Sequence, residues 1–204
     1  MPCPRSAGKS WIMGRIRIDI RPEACLTGAA LLLVLPLRWL LAWVMAAAVH
    51  ECAHILAVLA CGGRVVGMEI GAFGARISID PMPPAREAVC ALAGPAGSLA
   101  ILALSRWLPC TAVFALFQAA FNLLPLYPLD GGRALRRGLE AVLGEERAGR
   151  ISWIFGRLVL ACLTLAGLWA GWHWHPACLI LPLLLTIKCL PGKIPCKRGP
   201  LGLQ

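Results

Sequence analysis

Two histidines and a glutamate within one helical turn are the residues of this chain best suited to chemistry. They form the run His50-Glu51-Cys52-Ala53-His54, an HExxH motif. Residues four apart on a helix differ by about 400° of rotation and about 6 Å of rise, so His50 and His54 share one face. Both imidazoles can then bind one tetrahedral zinc ion. Glu51 lies about 100° round from His50, where it can act as a general base on water at the metal.

The motif lies in a long apolar stretch. Residues 24–61 contain no Asp, Glu, Lys or Arg except Arg38 and Glu51. As one helix this stretch would be about 57 Å long, against about 30 Å of hydrocarbon in a bilayer. The sequence therefore predicts a break near Pro36, which ends one span and lets a second begin. Polar side chains are costly inside a span, so three of them in one turn indicate a functional site.

The composition is that of an integral membrane protein. The 204 residues are 59% hydrophobic and only 15% charged, whereas an ordinary soluble domain is about 25% charged. A soluble domain of this size could not bury so much apolar surface, and a disordered chain would be poor in apolar residues. The predicted fold class is an all-α polytopic membrane protein with about six transmembrane helices. These predicted spans cover residues 24–36, 39–61, 87–106, 111–128, 151–172 and 176–190.

A small β-hairpin is predicted between the second and third spans. Apolar residues alternate with other types over residues 64–80, around a glycine-containing turn, which is typical of paired strands. Residues 131–150 are polar, and we predict that they form a surface helix. The basic segments 1–23 and 191–204 flank the membrane domain at residues 24–190, and no second globular domain is expected.

The distribution of basic residues predicts the orientation. Seventeen of the 20 Lys and Arg residues fall in segments that are cytoplasmic if the N-terminus is cytoplasmic. Arg38 and Arg106 fall outside, and Arg157 lies within the fifth span. The positive-inside rule therefore predicts a multi-pass cell-membrane protein with both termini in the cytoplasm and the HExxH motif in the cytoplasmic half of the bilayer. Anionic lipid headgroups account for the net charge of +10, so no nucleic-acid partner is expected.

A catalytic zinc ion needs a third protein ligand. Asp130 is the best candidate, because it follows a segment in which Pro125 and Pro128 prevent a regular helix. Irregular backbone at membrane depth is tolerated where it lines a cavity. The alternative that Asp130 caps the following helix stays open at this point. His173 and His175 flank a tryptophan in a predicted outer loop, where an interfacial aromatic belt is expected.

At these motifs the chain resembles the site-2 proteases, a family of intramembrane zinc metalloproteases. His50-Glu51-x-x-His54 matches the family's first motif, and Asn122-x-x-Pro125 through Asp130-Gly131 matches its second. Residues 93–98 resemble the family's middle core helix, and Phe73-Gly74 resembles its glycine-rich loop. One departure is Ala53, which stands where the family usually has glycine. The resemblance covers about residues 24–135, and the six-span layout is closest to the bacterial branch that includes the stage-IV sporulation protease.

The resemblance implies a membrane-embedded protease domain, with an HExxH helix over 39–61, a hairpin over 64–80 and a second-motif span over 111–130. It implies one Zn²⁺ per chain, a transmembrane protein as substrate and hydrolysis of a peptide bond in or near that substrate's membrane span. The substrate would be a membrane-bound precursor, such as a regulatory factor. The residues implied are His50, His54 and Asp130 as metal ligands, Glu51 as general base and Asn122 as a holder of the substrate backbone. A regulatory membrane partner or a homo-oligomer stays open.

Two functions of other classes are the alternatives. In a metal transporter, the same three ligands would form a transport site, but further polar residues along a path would be needed and the spans contain few. In a catalytically inactive zinc-binding scaffold, the metal would be structural. The presence of Glu51 argues against that scaffold, because a structural site has no use for a base.

The charge distribution yields a test of the topology. We predict that reporter fusions at Gly144 and after Lys197 report a cytoplasmic location, whereas a fusion at Trp174 reports the outside, because the positive-inside count favours this orientation. Paired alkaline phosphatase and fluorescent-protein fusions measure both locations. A cytoplasmic signal from the fusion at Trp174 would contradict the six-span topology.

Overall fold

The computed structural model describes residues 9–13, 16–71, 74–173 and 183–186. Within these residues the chain forms a helical bundle with one small sheet. The helices are α1 (Pro22–Val34), α2 (Leu37–Ala60), α3 (Pro84–Ala100, extended by a 3₁₀ turn over Ile101–Leu104), α4 (Pro109–Asn122), α5 (Asp130–Leu143) and α6 (Glu145–His173). The strands are β1 (Lys9–Met13), β2 (Ile16–Ile20), β3 (Val65–Gly71) and β4 (Gly74–Ile79).

Three of the described helices are long and apolar enough to cross a membrane: α2, α3 with its 3₁₀ extension, and α6. Helices α1 and α4 are apolar but have only 13 and 14 residues, which is about 20 Å of helix. A bilayer core is about 30 Å thick, so these two do not span it as regular helices alone. The chain is therefore a mostly helical membrane protein, and the predicted number of six spans stays a prediction.

Stripes of small residues hold the central helices together. On α2 the buried residues recur every fourth position, at Ala42, Ala46, His50, His54 and Val58. On α3 and α4 the buried residues are also mostly small. In a membrane the hydrophobic effect does not drive helices together, so their association depends on close packing. Small side chains allow that close approach. Helix α2 accordingly packs against both α3 and α4, and α3 packs against α5.

The predicted hairpin is present as β3 and β4, and it belongs to a larger sheet. The strand order is β1-β2-β3-β4, with β2 parallel to β3 and the other pairs antiparallel. The two additional strands come from residues 9–20, for which the sequence predicted only a basic segment. The alternation in β2 is short, and its partner strand β3 is 45 or more residues away, so the pairing has no local signal.

The outer edge of β4 has no partner strand among the described residues. The Arg21 N–H donates to the Ile70 carbonyl at 3.0 Å, so the main-chain groups of Ile70 face β2. The main-chain groups of successive residues in a strand point to opposite sides. Those of Glu69 therefore point toward β4, where Glu69 pairs with Arg76. The main-chain groups of Ile77, the next residue along β4, therefore point to the open edge.

Three boundaries differ from the prediction by more than three residues. The predicted surface helix over 131–150 is divided at Gly144, whose φ of 81° ends α5, and α6 begins six residues earlier than the predicted fifth span. Helix α4 ends at Asn122, six residues before the end of the predicted fourth span at residue 128, because Pro125 and Pro128 prevent a regular helix there. The predicted sixth span, 176–190, lies mostly outside the described residues, as does the tail after 190.

Candidate metal centre

Three ligand atoms from two distant parts of the chain converge at the centre of the bundle. The Nε2 atoms of His50 and His54 are 3.2 Å apart, and the Oδ2 atom of Asp130 lies 3.0 Å from the first and 3.2 Å from the second. All three side chains are buried. Within the described part of the chain, this is the group of at least three His, Cys, Asp or Glu side chains with the geometry to hold one metal ion.

The triangle has the dimensions of one face of a zinc tetrahedron. Zinc–nitrogen and zinc–oxygen distances of about 2.0–2.2 Å place tetrahedral ligand atoms about 3.3–3.5 Å from one another. The observed separations of 3.0–3.2 Å are close to that value. A set of two imidazoles and one carboxylate is also a catalytic zinc set, because it leaves the fourth position for water or substrate. The residues present therefore fit a zinc ion.

The far side of each imidazole is held by helix α3. His54 donates its Nδ1–H to the Cys90 carbonyl at 2.8 Å, so its Nε2 carries the lone pair that a metal needs. His50 Nδ1 lies 2.8 Å from the hydroxyl of the fully buried Ser98. Such partners fix the orientation and tautomer of metal-binding histidines. Neither Cys90 nor Ser98 was predicted from the sequence as a partner of the histidines, although both lie four residues from Gly94, on the face of α3 that packs on α2.

Gly94 lies against the imidazole nitrogens that face Asp130. A Cβ atom at this position would collide with the imidazole Nε2 atoms of both His54 and His50, coming within 2.8 Å of the latter. Gly97, one turn later, meets α2 at Ala53, with no room for a side chain. Glycines at these two positions let α3 approach the two histidines of α2 closely. Gly97 also leaves room for Ala53, which stands where the site-2 proteases usually have glycine.

The loop over 123–129 carries Asp130 into the site. Leu126 and Leu129 are buried in an apolar cluster that includes residues of α6, which anchors the loop. Gly131 and Gly132 begin α5 so close to the loop backbone that a Cβ at either position would collide with main-chain atoms of residues 123–127. The Tyr127–Pro128 peptide bond is cis. Two side-chain-free residues thus allow the loop to fold back on the first turn of α5.

The carboxylate of Asp130 is used by the site and not by helix capping. Asp130 is the first residue of α5, the N-cap position is Leu129, and the cap has no side-chain hydrogen bond. While Oδ2 faces the histidines, Oδ1 lies 3.7 Å from a guanidinium nitrogen of Arg133, one turn along α5. The alternative that Asp130 serves as a helix cap is therefore wrong.

The other predicted site residues lie around this triangle. Glu51 follows His50 on α2 and is partly exposed, so it points away from the fully buried stripe. Asn122 ends α4, and its side-chain nitrogen is 3.4 Å from His50 Nε2. His173 is exposed at the end of α6 and stacks on Trp169, as an interfacial residue would, and His175 lies outside the described residues. The structure thus brings His50, Glu51, His54, Asn122 and Asp130 to one site.

Comparison with known proteins agrees with this geometry. Residues 87–166 match the sequence model of Peptidase family M50. Rip3 of Mycobacterium tuberculosis, named as a zinc metalloprotease, is 32% identical over 152 residues, which cover 60% of this chain and 37% of that protein. The zinc metalloprotease sll0528 of Synechocystis, so named, is 30% identical over 133 residues, covering 55% of this chain and 35% of that protein. The chain thus spans little more than a third of the curated relatives it matches.

A solved structure has the same fold. The Site-2 Protease from Methanocaldococcus jannaschii superposes with a TM-score of 0.63 at 20% sequence identity. The superposition covers 89% of this chain and 93% of that one. At this identity the likeness concerns the fold, and it extends over nearly the whole bundle.

The position of Gly94 yields a test of the metal centre. We predict that Gly94→Ala lowers zinc occupancy of the purified protein at least about 10-fold, because the added methyl group occupies the space of the ligand nitrogens. Zinc is measured by elemental analysis after dialysis against a weak chelator. An alanine favours helix by about 1 kcal/mol over glycine, so loss of intrinsic helix stability would not explain the result.

Gly28→Ala is the matched control. A Cβ at Gly28 on apolar helix α1 meets no atom within 4 Å, so this variant should retain zinc at the wild-type level. Wild-type zinc content in the Gly94→Ala protein would contradict the assigned site.

Proposed function

Because the family match, the named relatives and the shared fold support the site-2 protease family, we propose that this protein is an intramembrane zinc metalloprotease. Its substrate is a transmembrane protein, cut in or near its membrane span. The observation that carries the proposal is the buried triangle of His50, His54 and Asp130 in the middle of a helix long enough to cross a membrane. A regulatory precursor is the proposed kind of substrate, by resemblance, and action in sporulation stays a prediction.

In this proposal His50, His54 and Asp130 hold one zinc ion. When bound, zinc supplies a Lewis acid that polarises the peptide carbonyl and makes water more acidic. Glu51 takes a proton from the attacking water and later gives it to the leaving amine. Its place on the helix supports that role, because it adjoins the ligand stripe but is more exposed than the two histidines. The buried α3 contacts hold both imidazoles in place while this happens.

Asn122 is proposed to hold the substrate backbone. Its amide nitrogen lies 3.4 Å from the ligand nitrogen of His50, so it borders the side of the site formed by α4. A side-chain amide offers two donors and an acceptor, which match a peptide group. A carboxamide in this place can thus position the scissile segment without competing as a metal ligand.

The orientation and depth of the site are also proposed. His50 is 13 residues after the start of α2 and 10 before its end, so it lies roughly 15–20 Å along the helix from either end. We propose that α2 spans the bilayer with its C-terminal end in the cytoplasm, as the charge distribution indicates, and that both chain termini are cytoplasmic. The site then lies within the membrane, nearer to the cytoplasmic surface, to which the sheet is attached.

The peptide groups of a transmembrane substrate are hydrogen-bonded within its helix, so the helix must unwind before cleavage. The open edge of β4 offers main-chain donors and acceptors to an unwound segment, which can add to the sheet as a fifth strand. Strand β4 contacts α2, the helix that carries the histidines. Edge addition would therefore present an extended backbone close to the proposed catalytic residues.

The first functional prediction separates the base from the ligands. Glu51→Gln should lower cleavage by about 10²-fold or more while about one zinc per chain is retained, because it removes the basic carboxylate and no proposed ligand. Asp130→Ala should lower zinc affinity as well as activity, because two histidines remain as ligands. Elemental analysis and cleavage of a co-reconstituted single-span substrate measure both effects.

Each outcome has a distinct meaning. Normal cleavage by Glu51→Gln would contradict its role as base, and wild-type zinc affinity in Asp130→Ala would place the third ligand elsewhere. A transporter would carry metal across vesicle membranes, so zinc uptake by vesicles containing the wild-type protein, without proteolysis, would favour that alternative. An inactive scaffold would retain zinc and cleave nothing.

The second prediction concerns the edge strand. Ile77→Pro should slow cleavage about 3–10-fold with zinc retained, because it removes an N–H that faces the open edge and would donate to the substrate. Ile77→Val is the matched control, since it keeps the N–H and a branched apolar side chain and should cleave at the wild-type rate. Equal rates for the proline and valine variants would show that substrate does not add at this edge.

A further inference from the structure

On the exposed face of the hairpin, Arg76 carries a positive charge that the carboxylate of Glu69 only partly neutralises. Glu69 on β3 accepts two hydrogen bonds from the Arg21 guanidinium, at 3.2 and 3.3 Å. Arg76, the cross-strand partner of Glu69 on β4, approaches the same carboxylate only to 4.0 Å, and its side chain is 76% exposed. Asp19 is on the same face but two strands away, about 10 Å from Arg76.

The two faces of β4 differ in chemistry. Arg76 and Ser78 are exposed on one face, while Ala75, Ile77 and Ile79 are half-buried on the other. A strand added at the open edge would therefore meet a polar row and an apolar row. Its side chains would alternate between the two, because successive residues of a strand point to opposite faces.

The register makes Arg76 the charged residue of β4 that faces such a strand. The main-chain groups of Arg76 face β3, so on its outer side Arg76 would sit in a non-hydrogen-bonded pair with the incoming residue. Cβ atoms are nearest in such pairs, about 4.5–5.5 Å apart. Opposite charges facing each other at this distance attract, and like charges repel.

We propose that Arg76 is a specificity-determining residue that selects an acidic side chain in the unwound substrate segment. This inference rests on the proposed protease function and on strand addition at β4. The preferred substrate carries Asp or Glu at the position opposite Arg76, with apolar residues immediately before and after it, which face the row of Ala75 and Ile77. One acidic residue flanked by apolar residues is the recognised pattern.

The distances allow recognition and cleavage on one extended segment. His54 lies six residues before the end of α2, about 9 Å along the helix, and β4 contacts α2. Arg76 lies three residues from the end of β4, about 10 Å along the strand. The two lengths together are about 20 Å, which an extended segment of about six residues covers. The acidic residue would therefore lie within about six residues of the scissile bond.

The experiment is a charge exchange between enzyme and substrate. The probe is a single-span reporter protein whose cleavable segment contains one Asp, or one Lys, at each of twelve successive positions in an otherwise uncharged apolar sequence. Wild type, Arg76→Gln and Arg76→Glu are each co-reconstituted with every reporter in phosphatidylcholine vesicles. The measurement is the initial cleavage rate, with zinc content recorded for each variant.

We expect wild type to cleave Asp over Lys by about 3–10-fold at one position. Arg76→Gln should remove this preference, and Arg76→Glu should reverse it at the same position. Arg147→Glu is the matched control, since it makes the same charge change at an exposed site on α6. It should leave the preference unchanged.

The outcomes separate this inference from the proposed function. If wild type cleaves reporters, Glu51→Gln does not, and no position reverses its preference in Arg76→Glu, the role of Arg76 is overturned while the protease remains. A reversal that Arg147→Glu also produces would overturn it too, because the effect would come from net charge. If wild type cleaves no reporter, the proposed function fails and this inference fails with it.

Discussion

The convergence of three electron-pair donors in an apolar interior is the constraint on which the rest of the structure depends. Two imidazole nitrogens and one carboxylate oxygen within 3.2 Å of one another repel unless a cation or shared protons lie among them. A bundle that buries them must supply rigid support on every side. Helix α3 does so through the Ser98 hydroxyl, the Cys90 carbonyl and the absence of a side chain at Gly94. The close helix packing serves the same site.

The second part of the constraint is the delivery of Asp130. If α4 continued past Asn122 as a regular helix, the backbone groups of the following residues would be hydrogen-bonded within that helix. No turn would then direct Asp130 to the histidines. The prolines end that helix, and buried leucines hold the irregular segment against α6. Gly131 and Gly132 then let α5 start in contact with the loop. Irregular backbone inside a membrane is stable only when protein encloses it, and here the buried leucines enclose the segment that leads to Asp130, the proposed third ligand.

The sheet adjoins this bundle through contacts of β3 and β4 with α2. Its three pairings satisfy the main-chain groups of β2 and β3 on both sides, and among the described residues the strand order leaves the outer side of β4 open for another chain. An open strand edge is a liability in most proteins because it pairs with unintended partners. In the proposed protease, whose substrate must be extended before cleavage, the same property would become a means of recognition, and the charge of Arg76 is proposed to limit which strands fit it.

Much of the site was predictable because its signals are local. The HExxH spacing, the prolines after Asn122 and the alternation in residues 64–80 each act within a few residues, and helix or strand geometry converts them into shared faces. The membrane class followed from composition alone. The division of the surface helix at Gly144 was missed, because one glycine within a polar helical pattern is a weak signal until its positive φ is seen.

By itself, the sequence determined that this chain is apolar enough for a membrane and that two histidines share a helix face with a glutamate beside them. Only the tertiary structure decided that Asp130 joins them instead of capping a helix, that Ser98 and Cys90 hold the imidazoles, and that residues 9–20 add two strands to the hairpin. The reason is the large separation in sequence between the residues that make these contacts. Periodicity reports which residues share a face, whereas pairings across 36 to 80 residues depend on how whole elements pack.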